Sequence, residues 1–126
     1  MTDSAKYAEA ERYARSRMQG IQKAVEAAHD DPDAEAVSDI PLDVEILGNR
    51  ERDKYHVTVL LGTGGPHDEL RYTVWGGNVD TVEYFYADWG YGTLVPLSYA
   101  ETVDATDFLN ALMPLDCLDE YCGFAR

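Results

Sequence analysis

The first thirty residues carry apolar side chains at steps of three and four: Tyr7, Ala14, Met18, Ile21, Val25 and Ala28. That period predicts a helix over residues 1–29, capped by Asp3 or Ser4. Glu11 interrupts the stripe, and Gly20 costs about 1 kcal/mol relative to alanine inside a helix. After an acidic stretch the period changes to two. Leu42, Val44 and Ile46 face one way with Asp43 and Glu45 opposite. Tyr55, Val57, Val59 and Leu61 alternate with His56 and Thr58; Leu70, Tyr72 and Val74 with Arg71 and Thr73; Val82, Tyr84 and Tyr86 with Glu83. These are four half-buried strands. The joints GNRERD, GTGGPHD and GGN are short, so neighbours run antiparallel as a meander, and Thr93–Leu97 adds a fifth, edge strand.

Ser98 and Glu101 have the spacing of a capping box. The helix behind it gathers Ala105, Phe108, Leu109 and Leu112 on one face and stops at Pro114; LDCLDEYC before Gly123 reads as a final short helix. The expected fold class is α+β: an antiparallel four- to five-stranded meander sheet with a long N-terminal helix and C-terminal helices. At 126 residues it is one domain, with helix 1–29, an acidic linker 30–39, the sheet over 40–97 and helices over 98–126. The N-terminal stripe can pack on the sheet or on a second copy of itself, and the sheet is the commoner choice.

Charge narrows the partners. Ten basic residues against 24 acidic ones leave a formal net charge of −14. Such a field repels nucleic acid and anionic membrane at long range. Residues 1–29 are nearly neutral, but residues 30–49 hold seven acids and no Lys or Arg, and nothing basic stands between Arg71 and Arg126. No apolar run approaches the roughly 18 residues of a membrane span, and the N-terminus lacks an apolar signal region. A cytoplasmic protein is expected.

No catalytic machinery is legible. The cluster Gly62, Gly64, Gly65 lacks the lysine and hydroxyl of a phosphate loop and leads into a strand, so it reads as a tight hairpin using positive φ. There is no GxSxG elbow, and DDPDAEAVSDIP carries a proline and no glycine where a calcium loop needs one. Cys117 and Cys122 read as reduced thiols packed under the last turn; His29, His56 and His67 show no ligand spacing to them. The expectation is no enzyme, no metal and no cofactor.

Six of the fourteen aromatic residues lie from Trp75 to Tyr91. One strand cannot bury all of Tyr84, Phe85, Tyr86, Trp89 and Tyr91 on one face, so some are covered by a helix and some are exposed. Exposed Tyr and Trp beside acids suit an interface with a basic protein.

The stretch SDIPLDVEI, then YHVTVLLGTGGP, then a strand, then VEYFYADWG and a closing helix resembles a family of small proteins carried by tailed phages and prophages. The likeness rests on the TGGP hairpin and on a strand ending in Asp-Trp, and it spans about residues 38–110. YGTLVP follows where those proteins tend to have a second tryptophan. The resemblance implies a mobile-element origin and carries over no functional residue. Together with the charge, it leads to an expected inhibitor of a host defence complex, of the anti-CRISPR or anti-restriction kind, whose carboxylates stand in for phosphates. Glu83, Asp88, Trp89, Tyr91, Asp104 and Asp107 are the expected contacts with a basic, nucleic-acid-binding host protein. The alternatives are a self-associating assembly protein, as a homodimer through the N-terminal stripe, or acidity as salt adaptation in a chain with three lysines.

Overall fold

The computed structural model describes residues 2–31, 35–49 and 52–124. Its first element is α1 (Asp3–Asp30). Thr2, one residue ahead of the expected caps, is the N-cap: its Oγ1 accepts from the Ala5 amide at 3.2 Å. Asp3 falls in the first turn instead, where a carboxylate suits the positive end of the helix. The buried face is Ala10, Ala14, Met18, Ile21, Ala24 and Val25. It passes through Ala10, so exposed Glu11 does not interrupt it.

The acidic linker is not wholly solvated. Residues 32–34 of it lie outside the described residues, but Val37 is buried in the core and the Ser38 hydroxyl donates to the Glu35 carbonyl at 3.0 Å. Five strands follow: β1 (Asp43–Asn49), β2 (Lys54–Gly62), β3 (His67–Trp75), β4 (Asn78–Asp88) and β5 (Tyr91–Val95). They pair antiparallel in chain order as a meander. The joint between β1 and β2 lies partly outside the described residues. β5 starts two residues before Thr93 because Trp89 and Gly90 form a two-residue turn that pairs Asp88 with Tyr91. α2 (Tyr99–Leu112) opens with the expected capping box, Ser98 Oγ accepting from the Glu101 amide and Glu101 accepting from the Ser98 amide. α3 (Leu115–Tyr121) closes the chain ahead of Gly123 at φ 82°.

All three helices cover one face of the sheet. Tyr55, Val57, Val59, Leu70, Tyr72, Val74, Tyr84 and Tyr86 point into that layer and meet the buried stripe of α1 with Phe108 and Leu109 of α2. The tyrosines are amphipathic, and three find partners at their hydroxyls: Tyr55 donates to Asp119 at 2.9 Å, Tyr72 to the Ala105 carbonyl at 2.7 Å, and Tyr84 to Asp68 at 2.8 Å. The apolar stripe of α1 is committed to the sheet and to α2. Cys122 packs against Gly48 of β1, whereas Cys117 is exposed rather than packed under the last turn.

Candidate functional site

In a meander every second turn lies at the same end of the sheet. The β2–β3 and β4–β5 turns are therefore neighbours, and they bring the glycine hairpin beside the Asp-Trp-Gly-Tyr run. Gly64 and Gly65 adopt φ of 95° and 130°. Trp89 and Gly90 adopt φ of 46° and 76°. Both central residues at positive φ is the pattern of the type I′ turn, whose first position favours Asn, Asp or Gly. A tryptophan there costs on the order of 1 kcal/mol. Trp89 recovers none of that by packing, since it is 95% exposed.

The two turns border a wide, open depression of about 480 Å³. Gly64, Gly65 and His67 line it on one side, and Asp88, Trp89 and Tyr91 on the other. Between them, His67, Ala87 and Gly92 form one row across three strands, in which the His67 side chain stands and the Phe85 ring edges Gly92. A Cβ built on Gly65 would stand 3.8 Å from Asp88 Oδ1, so a longer side chain at that position would cover the carboxylate. On the helix side, the Lys6 ammonium lies 5.6 Å from the Tyr91 ring centroid.

Along the strands Asp88 and Tyr91 alternate to the side of the buried Tyr86 and Val95, whereas His67, Ala87 and Gly92 lie on the sheet face that no described helix covers. There the Arg71 guanidinium lies 4.1 Å from the Phe85 ring centroid and donates from Nε to Glu69 Oε2 at 2.8 Å. His67 Nε2 stands 2.6 Å from the other Glu69 oxygen. Burial pushes the Glu69 carboxyl up, but the hydrogen bonds from Arg71 and His67 outweigh it and hold the group below its usual range. Large apolar side chains on this face remain in water, Leu47 at 62% and Trp75 at 58% exposure.

Beneath the hairpin end, on the helix side, Asp68 is only 1% exposed. Arg17 of α1 forks onto it, with Nε to Oδ2 at 2.7 Å and an Nη to Oδ1 at 3.2 Å. These bonds hold the guanidinium firmly charged, while burial and the bond to Asp68 push the Tyr84 hydroxyl up. Gly62 is small for a reason here: a Cβ would come within 2.6 Å of Asp68 Oδ1 and 2.7 Å of the Arg17 guanidinium. The network ties α1 to the foot of the β2–β3 hairpin.

The six expected contact residues fall in three places. Asp88, Trp89 and Tyr91 come together at the hairpin end. Glu83 lies on the uncovered face as the cross-strand partner of Arg71. Asp104 and Asp107 sit on α2 in the helical layer, where burial, then the charges of Asp107, Glu26 and Glu101, push the Asp104 carboxyl up. Of the chain's bases, Arg15 reaches this layer, pairing with Glu101 and donating to the Pro96 carbonyl at 2.8 Å. His67, Glu69, Arg71 and Phe85 were not singled out as site residues, although His67, Glu69, Arg71 and Thr73 at alternate positions of β3 were a visible sign of a polar face.

Among the described residues no helix is long and apolar enough to cross a membrane, and no three His, Cys, Asp or Glu side chains are grouped to hold a metal ion. No known protein family, curated protein or solved structure matches this chain.

Proposed function

We propose that this protein acts by binding, as an acidic inhibitor that occupies a basic, nucleic-acid-handling surface of a host defence complex of the anti-CRISPR or anti-restriction kind. The observation that carries the reading is Trp89: a large apolar side chain held in water, at a backbone conformation that disfavours it, on a hairpin tip. Strain without a packing return is the mark of a residue kept for an external contact. Its surroundings set the sign of the partner. The chain carries −14 overall, so a cationic surface is drawn in at long range and nucleic acid is repelled. The contact is centred on Asp88, Trp89 and Tyr91; Asp104 and Asp107 add to the field from the helical layer without touching the same partner groups. The resemblance to phage-carried proteins supplies the setting.

Capture from a host lysate at low salt, followed by measured affinity for the captured nucleic-acid-binding protein, tests this. Affinity should fall steeply between about 50 and 200 mM salt, where surface charges become screened. Trp89→Ala should weaken it further at every salt concentration, and the partner's nucleic acid should compete. A complex indifferent to salt, or one that binds nucleic acid simultaneously, overturns the proposal.

A further inference from the structure

The molecule seats one of its own arginines in a way that is instructive for the hairpin end. On the uncovered face, the Arg71 guanidinium stacks on Phe85 and hydrogen-bonds the Glu69 carboxylate. A flat cation is thus held by a ring below it and a carboxylate at its edge, an arrangement guanidinium satisfies better than ammonium. Tyr91, on the other side of the turn, takes Lys6 over its ring. Two of the aromatic residues around this end therefore already face a cation supplied by the chain itself. Among the described residues, no Lys or Arg lies over Trp89 and none pairs with Asp88. Yet tryptophan offers the strongest ring face for a cation.

We propose that the depression between the two hairpins is a seat for an arginine side chain of a protein partner, the guanidinium stacking on Trp89 and donating to the Asp88 carboxylate. This rests on the binding role proposed above and names the group that is recognised. The shape agrees. Ala87 and Gly92 keep the floor of the depression low, with the Phe85 ring edging Gly92. Gly64 and Gly65 keep the opposite wall at backbone height, leaving Asp88 approachable. Charge agrees as well: among the described residues Asp88 is the only carboxylate lining the depression, and neither Lys nor Arg lines it. The turn fixes the direction of the Trp89 Cα–Cβ bond in advance, with Trp89 and Gly90 at positive φ between the paired Asp88 and Tyr91. A preformed platform loses less freedom on binding than a mobile one.

The test titrates the isolated full chain with N-acetyl-arginine amide at low salt and follows the two indole N–H signals by NMR. The Trp89 signal should move saturably while that of Trp75 stays put. N-acetyl-citrulline amide, of the same shape without the charge, should leave both unmoved. Backbone amides of Gly64, Gly65 and Gly92 should report the same binding curve. That curve should weaken roughly fivefold in Trp89→Ala and in Asp88→Asn, each the loss of one exposed charge or cation–ring contact. Both positions are at the surface of the turn, so the variants fold. Equal responses at Trp75 and Trp89, or equal responses to citrulline and arginine, overturn the seat. If arginine does not bind but Trp89→Ala still weakens a captured basic partner, the seat is wrong and the binding role stands. If arginine binds and no basic partner competes with nucleic acid, the reverse holds.

Discussion

The two faces of the sheet are built from the same strands and solve opposite problems. On the helix side, alternate residues of β2, β3 and β4 are sealed, and apart from the Tyr86 hydroxyl the polar atoms brought in with them have partners: Tyr55 with Asp119, Tyr72 with the Ala105 carbonyl, Asp68 with Arg17 and Tyr84. On the other side the intervening residues meet water. Their polar groups are arranged in loose pairs, such as Arg71 with Glu69 and Thr73 with His56, and Leu47 and Trp75 are left uncovered. A buried polar group costs free energy unless it is bonded, whereas an exposed one can always turn to water. The first face is therefore intolerant of change and the second is free to vary toward a partner. At the hairpin end the row His67, Ala87 and Gly92 belongs to the second.

The sharpest way to break that contrast is to remove a polar group from each face. Asp68→Ala leaves the Arg17 guanidinium and the Tyr84 hydroxyl without their acceptor beneath the β2–β3 hairpin. Breaking a buried ion pair by deleting one partner costs about 3 kcal/mol or more. Arg17 is partly exposed and can find water, so the lower figure is the expected loss, read as a shift in the urea unfolding midpoint at unchanged slope. A loss no larger than that of an uncovered-face substitution would remove the distinction between the faces.

Much of this asymmetry could be read from residue order alone. Alternation of Tyr55, Val57, Val59 and Leu61 with polar residues assigns faces without any tertiary information. Ser98 with Glu101 marks a helix start by chemistry local to four residues. The stripe of α1 was harder, because Ala10 and Ala24 are too weakly apolar to announce burial, and they are buried by what packs on them. The candidate site was legible only in part. Trp89 and Asp88 are adjacent in the chain, but the proximity of Gly65 to Asp88 depends on two turns meeting at one end of a meander, across more than twenty residues. The separation of Glu83 from Asp104 was invisible for the same reason: charge along a chain does not say which side of a sheet it will occupy.

At Trp89 the effect should have the opposite sign. Asn favours the left-handed backbone that the first position of this turn requires, and a ring that is 95% exposed has no packing to lose. Trp89→Asn should therefore stabilise the protein by about 1 kcal/mol, the relief of backbone strain. The same variant should bind the basic partner and the arginine probe less well. A gain in melting temperature joined to a loss of binding would identify a residue kept at a cost to stability. Destabilisation would mean that the ring packs in solution, and that the tip belongs with the sealed face.

The smallest expected effect is at Arg71, and pH makes it diagnostic. Arg71→Ala removes a partly buried pair with Glu69, worth about 0.5 kcal/mol at neutral pH. Burial alone would raise the Glu69 carboxyl, but its bonds from Arg71 and His67 hold it below the ordinary value of 4.5. A carboxyl depressed by folding stabilises the native state above its unfolded value, and that stabilisation fades as pH falls through the lower folded value. The wild type should thus lose stability on acidification below about pH 4.5 that the Arg71→Ala protein has already lost, so the gap between them narrows toward pH 3. Urea midpoints of both proteins across that range give the answer. A gap that stays constant would assign Arg71 to its stack on Phe85 rather than to its carboxylate. The internal pairing that the hairpin seat is argued to repeat would then rest on the ring alone, and Trp89 would outweigh Asp88 in holding a guanidinium.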